Sequence, residues 1–131
     1  CVGMQLLFDV SEEHGFHKGL GLLPGKIIRI PESEDGRIVR KIPHIGWNAI
    51  MPGELYSWQG TIFDNVKIGE SCYFVHSFMA MAENHQHLLA HCVYEGVSIT
   101  AAVSHENVTG LQFHPEKSGV VGLSLLRGFL K

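Results

Sequence analysis

From Ser71 to Phe113 the chain is a succession of short apolar extended runs: Ser71 to Phe78, Leu88 to Tyr94, Val97 to Val103 and Val108 to Phe113. Glu95-Gly96 and Glu106-Asn107 separate the last three with residues suited to tight turns. A region written this way folds as strands, and strands with an apolar face need a second layer to cover it. The ends of the sequence offer that cover. Ser118 is placed to cap a last helix in which Gly122 lowers the propensity, while Leu123, Leu126 and Leu130, with Leu125 and Phe129, give a wide apolar face. Val2, Leu6 and Val10 recur at helical spacing with Leu7 and Phe8 beside them, which predicts a buried helix running from Cys1 toward Ser11-Glu12-Glu13. His14-Gly15 and the stretch from Gly19 to Gly25, with Pro24, end that helix and form a connection. Lys26 to Ile30 and Arg37 to Ile42 flank Glu34-Asp35-Gly36 as an expected antiparallel hairpin. The stretch from Pro43 through Gly60 reads as irregular and carries both tryptophans. The expected architecture is α/β, a sheet flanked by helices in one domain over residues 1–131.

Composition narrows the functional classes. With 45% hydrophobic and 18% charged residues, the chain is built to bury a core. A net charge of -3 with interspersed signs gives no reason to expect nucleic acid or an anionic membrane as partner. No apolar run approaches the roughly 20 residues that span a bilayer, and no signal-peptide pattern is present, so a cytoplasmic location is expected. Three cysteines without paired spacing argue against a disulfide framework. Cys72 and Cys92 lie in strand-like runs and read as buried structural thiols.

The chemistry concentrates at the end of the last extended run. Residues two apart on a strand share a face, so His114 and Glu116 point one way and Phe113 the other, which lets a carboxylate orient an imidazole. Pro115 has no amide hydrogen for a ladder and suggests that pairing stops here. A nucleophile is available in Cys1, at or next to a helix N-terminus, where the dipole favours a thiolate. Nucleophile, base and orienter together suit acyl transfer. Gly3 lets backbone pass close to a ligand, and the amide of Val2, next after the nucleophile, is positioned as an oxyanion donor. A cysteine that uses its own amine as base is another reading of Cys1, but it has no use for a strand-borne His114/Glu116 pair.

Five segments carry a resemblance: Cys1-Val-Gly-Met-Gln-Leu-Leu-Phe, Gly19-Leu-Gly-Leu-Leu-Pro-Gly25, Pro43-His-Ile-Gly-Trp-Asn48, Tyr73-Phe-Val-His-Ser77 and Gln112-Phe-His-Pro-Glu-Lys-Ser118. Together and in this order they resemble the class I glutamine amidotransferases, whose sheet is flavodoxin-like, and more narrowly the glutaminase subunit of imidazole glycerol phosphate synthase. The resemblance implies that Cys1 attacks the side-chain amide of L-glutamine to give a glutamyl thioester and ammonia, with His114 as proton carrier and Glu116 as its orienter. It implies that Gln5 and Glu13 hold the substrate's backbone carboxylate and ammonium region and that His76, Ser77 and Phe78 add main-chain contacts. It also implies a separate (βα)₈ cyclase subunit that receives the ammonia in histidine biosynthesis, with Trp47 and Tyr73 near the interface, and neither cofactor nor metal. Plain core packing is the other reading of Trp47 and Tyr73.

Family members carry a strand feeding the nucleophile, a glycine two residues ahead of it and a glycine-rich oxyanion loop. None is in this sequence, so the expectation is the C-terminal portion of the domain, truncated before Cys1. The close of the sequence after its last helix leads to the expectation that no cyclase is fused downstream, and so to a bacterial or archaeal source. Two alternatives share the motifs: a paralogue supplying ammonia for amidination of surface-polysaccharide sugars, and an inactive docking module. His85, His87 and His91 with Glu83 fit no zinc spacing and read as a solvated polar turn. Lys26, Arg29, Arg37, Arg40 and Lys41 read as a solvent face or a docking surface for the cyclase.

Overall fold

The computed structural model describes residues 1–55 and 57–131. A one-turn helix α1 (Val2–Gln5) is followed by strands β1 (Phe8–Ser11), β2 (His17–Lys18), β3 (Leu23–Arg29), β4 (Ser33–Glu34), β5 (Arg37–Ile38), β6 (His44–Ala49) and β7 (Met51–Pro52). Then come β8 (Ser71–His76), β9 (Phe78–Ala82), β10 (Leu88–Tyr94), β11 (Val97–His105), β12 (Val108–Leu111) and the closing helix α2 (Gly119–Phe129). One four-stranded sheet has the order β2-β1-β3-β9 and another β12-β11-β10-β7, while β4-β5 and β6-β8 form two-stranded sheets. Strands β1 and β3 run parallel, and the other pairings are antiparallel. This is a mixed α/β domain rich in strands, in keeping with the expected flavodoxin-like class.

The strands sit where the apolar runs predict them. In β11 the five residues Ile99 to Val103 are buried, as expected of a strand covered on both faces. Strand β3 alternates instead, with Leu23, Gly25 and Ile27 inward and Pro24 and Lys26 outward. The main core gathers Ile50, Phe63, Phe74, Leu89, Ile99, Phe113 and Leu125, and a smaller cluster under α1 holds Met4, Phe8, Leu23, Ile27, Ala80 and Val103. Full burial of each large side chain contributes about 1.5–3 kcal/mol.

Several expectations need correction. The first helix does not run toward Glu13; it ends after one turn, because the carbonyls of Leu6 and Leu7 accept from the amides of Leu20, Leu22 and Leu23 instead of continuing a helical ladder. The chain then enters β1, and Met4 and Phe8, rather than Val2 and Leu6, face the core. The hairpin turn at Asp35-Gly36 is present, but β3 pairs with β1 and β9, leaving only the short β4-β5 ribbon around the turn. The stretch expected to be irregular contains β6 and β7; position 56 within it lies outside the described residues. On α2, Leu125 is buried and Val121 packs on the core, so the stripe of Leu123, Leu126 and Leu130 faces away and is exposed. Arg40 is no docking residue: its buried guanidinium pairs with Glu34 and donates to the carbonyls of Pro31 (2.8 Å) and Glu95 (2.9 Å). His87 is likewise buried, its ring against His105, rather than solvated.

Candidate active site

Strand β12 stops at Leu111, two residues before the end of the apolar run. Backbone bonds still hold the next residues: the Gln112 amide donates to Ala101 and the His114 amide to the Tyr73 carbonyl, at 2.8 and 3.0 Å. His114 then caps a single 3-10 turn, Pro115–Lys117, in which Pro115 takes the first position, where no amide donor is needed. The turn, not strand alternation, brings Glu116 back to His114: Oε1 accepts from Nδ1 at 2.8 Å. Phe113 points the other way into the core, as expected. The carboxyl of Glu116 is held below its ordinary range by its own backbone amide and by the His114 ring and charge.

Two residues fix this turn in place. Ser118 takes the N-cap position of α2 as expected, but its hydroxyl makes no cap bond; it donates to the His114 carbonyl (2.6 Å) and accepts from the Tyr73 amide (3.0 Å). With the His114–Tyr73 backbone bond, this clasps the imidazole-bearing residue to β8. Gly122 makes the clasp possible, because a Cβ there would lie 1.8 Å from the Pro115 carbonyl oxygen. The glycine that weakens the helix by roughly 1 kcal/mol is what lets the helix seat against the turn carrying Glu116.

Cys1 caps α1 on the other side of the site and is exposed. Its nitrogen donates to the Gln112 carbonyl at 2.7 Å, which ties it to the strand end two residues before His114. Between these elements lies a cavity of about 450 Å³. Cys1, Val2, Gln5 and Glu13 form one wall, and Val75, His76, Ser77, Phe78 and His114 the other. The structure therefore gathers at one cavity the thiol, the imidazole, the Val2 position and all five residues expected to bind substrate. Gln5 spans the floor, donating from Nε2 to the Phe78 carbonyl and to Gln112 Oε1 at a long 3.4 Å each. Glu13 follows β1 in a turn, where the Ser11 hydroxyl accepts its amide at 3.2 Å.

Trp47 and Tyr73 lie directly opposite each other on β6 and β8, rings edge-on at 5.9 Å. Trp47 is 59% exposed, which removes plain core packing as its explanation. Cys72 and Cys92 are buried as expected, and burial pushes both thiols up to about 12. Among the described residues no cluster of three or more His, Cys, Asp or Glu side chains is arranged to hold a metal, and no helix is long and apolar enough to cross a membrane.

Sequence reasoning missed Ser118 as a clasp, Gln112 as the anchor of Cys1, and His44. Gln112 stands two residues before His114 and four before Glu116, a period-two signal that was available. His44 offered only Asn48, four residues on in β6, as a local signal; its other partner, His76, lies on β8.

The chain belongs to a known family. The class-I glutamine amidotransferase family model matches residues 1–131, and the chain is a member of that family. Among curated proteins it is similar to imidazole glycerol phosphate synthase subunit HisH 1 of Legionella pneumophila, with 47% identity over 133 residues covering 100% of this chain and 62% of the relative. The HisH subunit of Desulfitobacterium hafniense is 45% identical over 131 residues, covering 100% of this chain and 57% of the relative. That of Geobacillus thermodenitrificans is 42% identical over 130 residues, covering 99% and 58%. The chain thus spans about three-fifths of the length of the curated relatives it matches.

Proposed function

We propose that this chain acts as the glutaminase of a two-subunit imidazole glycerol phosphate synthase, releasing ammonia from L-glutamine for a separate (βα)₈ cyclase subunit in histidine biosynthesis. The observation that carries the reading is the cavity lined by both Cys1 and His114, the latter bonded to Glu116, together with Gln5, Glu13 and the His76–Phe78 segment. The names of the relatives support the acceptor.

In this reading the Cys1 thiolate attacks the side-chain carbonyl carbon of glutamine, and the Val2 amide stabilises the oxyanion. The imidazolium of His114 gives its proton to the departing amide nitrogen, so ammonia leaves and a glutamyl thioester remains. Neutral His114 then takes a proton from water as it attacks the thioester, and glutamate and the free thiol are restored. Glu116 holds the ring with Nε2 toward the chemistry, since its carboxylate occupies Nδ1. Neither step needs a cofactor or metal. Exposed Trp47, with the half-buried Tyr73 beside it, serves as part of the cyclase contact, and the complex works in the cytoplasm.

Glutamate release from glutamine by the full chain, alone and with a cyclase subunit and its nucleotide ligand, tests this. Release that depends on Cys1 and rises with the cyclase is expected; release that persists in Cys1→Ala would refute the nucleophile, and equal rates with and without the cyclase would refute the coupling.

A further inference from the structure

A chain of hydrogen bonds runs through the protein from β6 to the cavity. Asn48 Nδ2 lies 3.3 Å from His44 Nε2, His44 Nδ1 lies 2.9 Å from His76 Nε2, and His76 Nδ1 lies 2.8 Å from the Phe78 carbonyl. That carbonyl also accepts from Gln5 in the cavity floor. At its other end the chain begins one residue from Trp47.

The two ends dictate where every proton sits. A carbonyl only accepts, so His76 Nδ1 carries the hydrogen, and a neutral ring then leaves Nε2 bare. His44 Nδ1 must therefore donate to it, which leaves His44 Nε2 bare to accept from Asn48. The Asn48 amide is not free to turn round, because the same Nδ2 donates to the Val93 carbonyl at 3.0 Å. Both imidazoles are thus neutral and both hold the proton on Nδ1. An additional proton on His76 Nε2 would face the His44 N–H, and one on His44 Nε2 would face the Asn48 amide donor.

The surroundings enforce this state. His44 and His76 are buried, and desolvation presses each down to about 4. His44 is stacked between Tyr94 and Phe74, with ring centroids at 4.1 and 5.0 Å, so its ring cannot swing away. Among the described residues neither ring has a carboxylate as hydrogen-bond partner.

We infer that His44 and His76 are positioning residues of the glutamine site: two neutral Nδ1–H imidazoles that fix the direction of the Phe78 carbonyl and, through it, the place of Gln5. The inference rests on the glutaminase reading for its functional consequence, but its tautomer pattern stands apart from any activity. Substrate backbone groups meet Gln5 and the His76–Phe78 segment, so the relay acts on how glutamine is held rather than on the chemistry at Cys1.

The test combines imidazole ¹⁵N NMR of the full chain at pH 7 with glutamine kinetics. The spectrum is expected to show both rings protonated at Nδ1 and bare at Nε2; either ring as the Nε2–H tautomer would overturn the proposal even if no variant folds. His44→Phe keeps the stacked ring and removes both hydrogen bonds. It is expected to raise KM for glutamine roughly tenfold, the worth of one lost hydrogen bond, with kcat within about twofold. His44→Asn, which restores a donor near the Nδ1 position, should recover most of that loss. A fall in kcat with KM unchanged, the mark of a smaller folded fraction, would overturn the role, as would wild-type KM in His44→Phe. Failure of the glutaminase reading would look different, since wild type and Cys1→Ala would then release glutamate alike.

Discussion

Two pairs built on histidine each reach the same cavity through one ring, His114 and His76, and their surroundings assign them opposite work. At the rim, His114 meets the Glu116 carboxylate at 2.8 Å on a solvent-facing turn, so a proton arriving on the ring finds a countercharge. Beneath the same wall, His44 meets His76 at 2.9 Å, both buried and both pressed down to about 4. A proton arriving there finds another N–H and no countercharge among its hydrogen-bond partners. The first pair is fitted to carry a proton through a reaction cycle, the second to stay neutral and hold geometry. The same side chain gives a base or a strut according to its partner and its exposure to water.

That contrast can be broken in a definite order. Removing the thiol served by the rim pair has the largest effect: Cys1→Ala is expected to lower glutamate release by about 10⁴-fold or more while the fold, followed by circular dichroism, is unchanged. Glu116→Gln loosens the rim pair without removing its base, so steady-state kcat should fall about 10- to 100-fold less than in Cys1→Ala. A loss as large as that of Cys1→Ala would mean that Glu116 does more than orient.

Gly122→Ala separates the two pairs, because the new Cβ meets the Pro115 carbonyl beneath the rim turn and touches nothing of the buried pair. The gain in helix propensity is outweighed, and chemical denaturation should show a loss of about 1–3 kcal/mol. The Nδ1–H signals of His44 and His76 should persist in the folded fraction.

The remaining effect is on pH dependence. A histidine near 6.5 when unfolded and about 4 when folded binds more protons in the unfolded state between those values. Stability is therefore flat above about pH 6.5 and falls as pH drops toward 4, by at most about 1.4 kcal/mol per pH unit for each ring. His87, held down by burial and by His105, adds in the same direction. Denaturant titrations in this window should show the slope reduced by about one proton in His44→Phe; an unchanged slope would contradict the buried-neutral assignment.

How much of the fold and site was legible in the sequence depends on how local each signal is. Strands β10 to β12 and helix α2 were readable because their apolar runs and turn residues are contiguous. Helix α1 was misread because Val2, Leu6 and Val10 mimic a helical period over a segment whose carbonyls are captured by Leu20 to Leu23, a contact no local pattern records. The His114–Glu116 pair was legible from spacing, although a 3-10 turn rather than strand alternation brings the two together. His44 was not, because what makes it informative is burial between Tyr94 and Phe74 and a bond to a residue 32 positions away. Ser118 was noticed for its position alone: a serine before a helix reads as a cap, yet its hydroxyl is engaged by His114 and Tyr73.

The central claim is that glutamine is opened at Cys1, and it is tested most directly by quenching the full chain during turnover and locating the glutamyl adduct by peptide mass spectrometry. A thioester on the peptide that contains Cys1, absent from those carrying Cys72 and Cys92, is the expected result. Glutamate release with no adduct at Cys1, or an adduct on either buried cysteine, would contradict the account.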